Sequence, residues 1–296
     1  MYTIKDLEYL KNAYDADNKN DIIQHAENTG MGLLTVLYLE GKERAKLFLK
    51  YIPLGKNESP NELLVNAINL HLSNPPVITD LIELLSDQFG SKGIMLADSE
   101  AIFYMMQDPD NSLDILKKLV EYNIKFNFHK CFILGAFYCY DEHYYYLSNN
   151  VTLTKADFNE YFNLLISNPI DQSMEGNSIY VSEIIEDLIN NHNVDVNMGD
   201  LGMDFDYAVH QCLYYYPFSV KYFLTKKFDI SLLEDPEFWK EFCDGLGRKV
   251  QYYPIAFQQI KASGITFDDS IMLSALKSEG LDELISAYVN EPNGKS

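Results

Sequence analysis

"AVHQCLYYYPFSVKYFL", residues Ala208 to Leu224, sets a histidine, a cysteine and a run of aromatic rings within seventeen residues. It reads either as a ligand site or as one unit of a structure built by repetition. Pro217 favours repetition. A proline suits the first turn of a helix, where its missing N–H would have had no helical partner. Ala208–Cys212 then forms the core of a first helix, and Pro217 opens a second. Val220, Phe223 and Leu224 become the inward stripe of that second helix.

The same word recurs along the chain. It reads "LLTVL" from Leu33, "LLVNA" from Leu63, "AIFYM" from Ala101, "FILGA" from Phe132, "AVHQC" from Ala208, "FWKEF" from Phe238 and "IMLSA" from Ile271. Successive offsets are 30, 38, 31, 76, 30 and 33 residues. The 76 spans about two periods, with "IYVSE" near Ile179 as the nearest candidate for the missing word. Prolines 60, 75, 76, 109, 236 and 254 stand where further helices should begin. Paired short helices at a period near 33 predict an all-α solenoid over a single domain, residues 1–296. An irregular insertion is expected at about 144–157 and a frayed end at about 291–296. The stretch from Asn177 to Asn197 reads as too short for two helices.

The second helices end on a matching word. "VEYNIKFN" closes at Asn127, "NNHNVDVN" at Asn197, "TKKFDIS" at Ser231 and "KASGITFD" at Asp268. These words resemble ankyrin repeats. Ala208–Cys212 lies on that family's P-L-H-x-A, with His210 in the histidine slot, and Asn193–Asn197 lies on G-A-D-V-N. The resemblance implies a protein-binding scaffold with no common chemistry, and a backbone-bonding role for His210. The Thr-Pro start of the family word is absent everywhere, which implies shortened fingers between repeats. A HEAT-like solenoid is the structural alternative.

Composition narrows the function. With 47% hydrophobic residues the chain can bury a large core. Its formal charge of −21 disfavours direct binding to nucleic acid and to anionic membranes, and attracts a basic protein partner. Cys131, Cys139, Cys212 and Cys243 show no CxxC spacing and read as buried free thiols of a reducing cytoplasm. The charged N-terminus lacks the apolar region of a signal peptide, and "CFILGAFYCY" is about half a membrane span. A cytoplasmic location is expected. Scarce arginine with abundant Asn, Ile, Lys and Tyr suits an AT-rich genome, as in a low-GC bacterium or its phage.

The candidate docking residues lie between Cys131 and Tyr216, where thirteen acids face only Lys155. Asp141, Glu142, Asp157, Glu160, Asp204 and Asp206 represent the acids. Two tyrosine triplets fall there, and Tyr144, Tyr145, Tyr146, Tyr214 and Tyr215 complete the set. Consecutive helical residues point about 100° apart, so at least one ring of each triplet should be partly exposed. No catalytic, metal or cofactor motif stands out. "DADNKND" (15–21) departs from a calcium loop at Lys19, Asn20 and Ala26, and reads as a turn with Asp21 capping the next helix. "TGMGLLT" and "DGLGR" lack essential parts of nucleotide loops, and "DEH" (141–143) is too tight for a metal set.

These features predict a non-enzymatic scaffold that sequesters or inhibits a basic protein, in the manner of a bacterial immunity protein or a phage inhibitor of a host factor. An acidic nucleic-acid mimic filling a DNA- or RNA-binding groove is the first alternative, and an enzyme on an α-solenoid the second. No sequence feature specifies an oligomeric state.

Overall fold

Helices begin where the prolines stand. In the computed structural model, which describes residues 11–29, 32–54, 59–71, 74–138, 140–167, 175–194, 213, 219–220, 224, 230–245 and 253–290, the chain is all-α. Pro60, Pro75, Pro109 and Pro236 each open a helix, and Pro254 is the second residue of another. Pro217 lies outside the described residues. The chain divides into two compact units, Met1–Leu134 and Gly135–Ser296.

In the first unit, residues 11–15 are helical, followed by α1 (Lys19–Thr29), α2 (Leu33–Glu40), α3 (Lys42–Tyr51), α4 (Pro60–His71) and α5 (Pro75–Phe89). Then come strand β1 (Met95–Leu96), α6 (Ser99–Met106), α7 (Pro109–Glu121), strand β2 (Lys125–Phe126) and the start of α8 (Phe128–Tyr138). The helices pair as the repeated word requires: α2 with α3, α4 with α5, and α6 with α7. Neighbouring pairs also meet in a regular way, α4 against α6 and α5 against α7.

The word itself is core. Leu63, Leu64, Ala67 and Ile68 are buried in α4, as are Ala101, Ile102, Met105 and Met106 in α6. Ile78, Leu81, Ile82 and Leu85 of α5 and Ile115, Leu116 and Leu119 of α7 are buried too, and these two helices are in contact. Each such aliphatic contributes roughly 1.5–3 kcal/mol on burial. Side-chain caps hold the starts. Ser59 and Glu62 bond each other's backbone N–H at 3.1 Å, and Asp98 accepts from the N–H groups of Glu100 and Ala101 at 2.9 and 2.8 Å.

The recurring end-word is a helix stop. After α7, Asn123 takes a left-handed φ of 51°. The Ile124 N–H then reaches back to the Leu119 carbonyl at 2.9 Å, and the Asn123 N–H to that of Val120 at 3.0 Å. This is the Schellman arrangement, which satisfies the last carbonyls and seats the following apolar residue. "NNHNVDVN" varies it: Asn193 also has a left-handed φ, 49°, but the Val194 N–H reaches one residue further back, to the Leu188 carbonyl at 3.3 Å. "DADNKND" is a second Schellman case, with Asp17 at a φ of 53°, the Asn18 N–H on the Ala13 carbonyl at 2.8 Å and the Asp17 N–H on that of Tyr14 at 3.2 Å. Asp21 does not itself cap α1. Asn18 stands at the cap, and its side-chain amide donates to Asp21 at 2.6 Å. "TKKFDIS" lies almost wholly outside the described residues, from which only Ile230 and Ser231 emerge.

Bonds one period apart tie neighbouring pairs together. The Asp17 carboxylate accepts from Lys50 and, at 2.7 Å, from the Tyr51 hydroxyl. The Met95 N–H donates to Asn61 Oδ1 at 2.6 Å, 34 residues away. Strands β1 and β2 pair in parallel, Met95 with Lys125 and Leu96 with Phe126. Among the described residues this two-residue ladder is the only sheet.

The second unit completes α8 and continues with α9 (Asp141–Asn150), α10 (Lys155–Ser167) and α11 (Glu175–Asn190). Here two expectations change. Residues 144–157 are not an irregular insertion: Tyr144–Asn150 belong to α9, and Lys155 opens α10. Apolar periodicity does not mark α9, because His143, Tyr144 and Leu147 form its buried stripe, with a single aliphatic among them. The word near Ile179 lies inside α11, and Asn177–Asn190 belongs to that one helix. Helix α10 buries Phe158, Tyr161, Phe162, Leu165 and Ile166 and is in contact with α11.

A 3₁₀ turn (Ile230–Glu234), α12 (Pro236–Gly245), α13 (Tyr253–Ala262), α14 (Ser270–Ser278) and α15 (Asp282–Val289) follow. Contacts link α12 with α14, α13 with α15, and α14 with α15. Their core is built around Trp239 and includes Leu213, Val220 and Leu224, so the inward positions read at Val220 and Leu224 are buried. His210, Tyr214, Tyr215 and Phe223 lie outside the described residues. Among the described residues no helix is long and apolar enough to cross a membrane.

Cys131 and Cys243 are free thiols, while Cys139 and Cys212 are outside the described residues. Burial pushes the Cys131 thiol from 9.0 up to about 12. A raised value means that the folded chain holds the proton more tightly than the unfolded chain. This contribution to stability is complete below pH 9 and is lost as the pH climbs towards 12. Peptide mapping after iodoacetamide treatment at about pH 8 should find Cys131 unmodified in the native protein and modified in denaturant. Native labelling within minutes would contradict its burial.

Candidate docking site

The first tyrosine triplet sits on α9, and helical geometry sends its rings apart. Tyr144 turns inward and is 1% exposed. Its ring lies 5.0 Å from that of Tyr161, and its hydroxyl donates to Asp187 Oδ2 at 2.5 Å. Burial, followed by that bond to a carboxylate, holds the Tyr144 hydroxyl far above its ordinary pKa. Tyr144 is thus a core residue rather than a docking residue, because α11 brings an acceptor to meet its hydroxyl.

Tyr145, one residue on, is 37% exposed. Its hydroxyl is also raised, first by partial burial and then by Glu183, Asp187, Asp141 and Glu186. Four carboxylates from two adjacent helices therefore act electrostatically on the Tyr145 hydroxyl. Tyr146 is half-buried. The triplet was expected to leave at least one ring partly open, and Tyr145 is that ring.

Asp187 organises the surroundings. It accepts from Asn191 Nδ2 at 2.6 Å and pairs with His192 Nε2 at 3.2 Å. The His192 ring stacks on Phe158 at 3.6 Å. These contacts anchor the end of α11 against α9 and α10. Glu183 is open to solvent and Glu186 half-buried. Between Gly135 and Val194 the only Lys or Arg is Lys155, at the start of α10, so basic side chains hardly oppose the cluster.

The remaining candidates separate. Asp157 serves a capping box: it accepts from the Thr154 N–H at 2.6 Å, and its own N–H donates to Thr154 Oγ1 at 3.3 Å. Glu142 and Glu160 are exposed on α9 and α10. Asp204, Asp206, Tyr214 and Tyr215 fall outside the described residues. Of the sequence candidates, Asp141 and Tyr145 are linked electrostatically. Glu183, Glu186 and Asp187 lie outside the set expected from the sequence, yet all three act on the Tyr145 hydroxyl. Their i, i+3, i+4 spacing puts them on one helix face, a signal already present in the sequence.

An arrangement of this kind is chemically able to receive a cation. An open ring favours an ammonium or guanidinium over its face, and the carboxylates supply charge-assisted bonds. Among the described residues no group of three His, Cys, Asp or Glu side chains is placed to hold a metal ion. The chain was compared with protein-family models, with curated proteins and with solved structures, and none matches.

Proposed function

We propose that this chain is a helix-pair solenoid, ankyrin-like in plan, that binds and occludes a basic protein without catalysing a reaction. The side-by-side contacts of first helices with first helices, and of second with second, support the solenoid plan. Tyr145, open to solvent under four carboxylates, carries the binding reading. A Lys or Arg of the partner stacks on this ring, while Glu183 and Glu186 pair with its charge. Roles as an immunity protein or as a phage inhibitor suit such chemistry, and a cytoplasmic location suits the free thiols.

The test uses the full chain as bait in its native host, followed by titration of the identified partner. The captured protein should be basic, and Tyr145→Ala with Glu183→Lys should weaken binding about tenfold or more. Binding should persist, though weakened, as salt rises from about 50 to 300 mM. Loss in proportion to screening, together with displacement by DNA or RNA, would favour the nucleic-acid mimic instead.

A further inference from the structure

We draw no further inference here: the strongest candidate, the open cavity of about 690 Å³ that Tyr14, Arg44, Lys46 and Lys50 line between residues 11–15 and α3, carries none, because Asp15 and Glu43 line it too and Arg44 and Lys50 are already paired with Glu40 and Asp17, which leaves no excess of charge to select a ligand.

Discussion

Trp239→Ala is expected to lower stability by about 3–5 kcal/mol from lost contacts and the cavity left behind. Trp239 is fully buried at the centre of the C-terminal core. Phe238, Phe242 and Phe257 surround it with ring separations of 5.0, 5.6 and 5.9 Å. Its indole N–H donates to the Leu233 carbonyl at 2.8 Å, tying α12 to the turn before it. The alanine variant also strands that carbonyl, adding roughly 1–3 kcal/mol if water does not reach it. A loss of this size is a large part of an ordinary domain's roughly 5–15 kcal/mol. Trp239→Phe keeps a ring and should cost about 1–2 kcal/mol, mainly through the missing donor. Urea titration followed by circular dichroism ranks the three proteins. Equal midpoints for the alanine and phenylalanine variants would refute the packing account. Trp239 is the only tryptophan, so native fluorescence should be blue-shifted and should redden when the C-terminal core opens.

The second large effect separates two neighbouring tyrosines. Tyr144→Ala should destabilise the second unit by about 3–5 kcal/mol, because it empties a core position beside Tyr161. Tyr144→Phe should cost about 1.5–3 kcal/mol, the range for a hydrogen bond to a charged group, while Asp187 keeps Asn191 and His192. Tyr145→Ala should change stability by no more than about 0.5 kcal/mol, yet weaken partner binding about tenfold. Thermal melts alongside partner titrations measure both quantities. If Tyr145→Ala destabilised the fold as much as Tyr144→Ala, the inward and outward assignments would be wrong.

Much of the architecture was legible in the chain. Apolar words such as Leu63–Ala67 and Phe238–Phe242 are helix cores because apolar spacing of three and four residues makes one burying face. Prolines marked starts because a helix's first turn tolerates them, and "EYNI" marked a stop because Asn accepts a left-handed backbone. These are local properties, decided within a few residues. Helix α9 was hidden because its buried stripe uses a histidine and a tyrosine that look polar in sequence.

The site needed tertiary structure. Periodicity says that three adjacent tyrosines cannot share one face, but not which ring goes inward. That choice rests with α11, 43 residues on, where Asp187 meets the Tyr144 hydroxyl and makes its burial tolerable. The acids beside Tyr145 gather for the same reason: α9 and α11 are separated by a whole helix in sequence but adjacent in space. By itself, the sequence determined most of the helix starts, the inward residues of its apolar words and the acidic charge. Only the packing of α9 on α11 decided that Tyr144 serves the core and Tyr145 faces outward, because a buried hydroxyl needs a partner that no local pattern supplies.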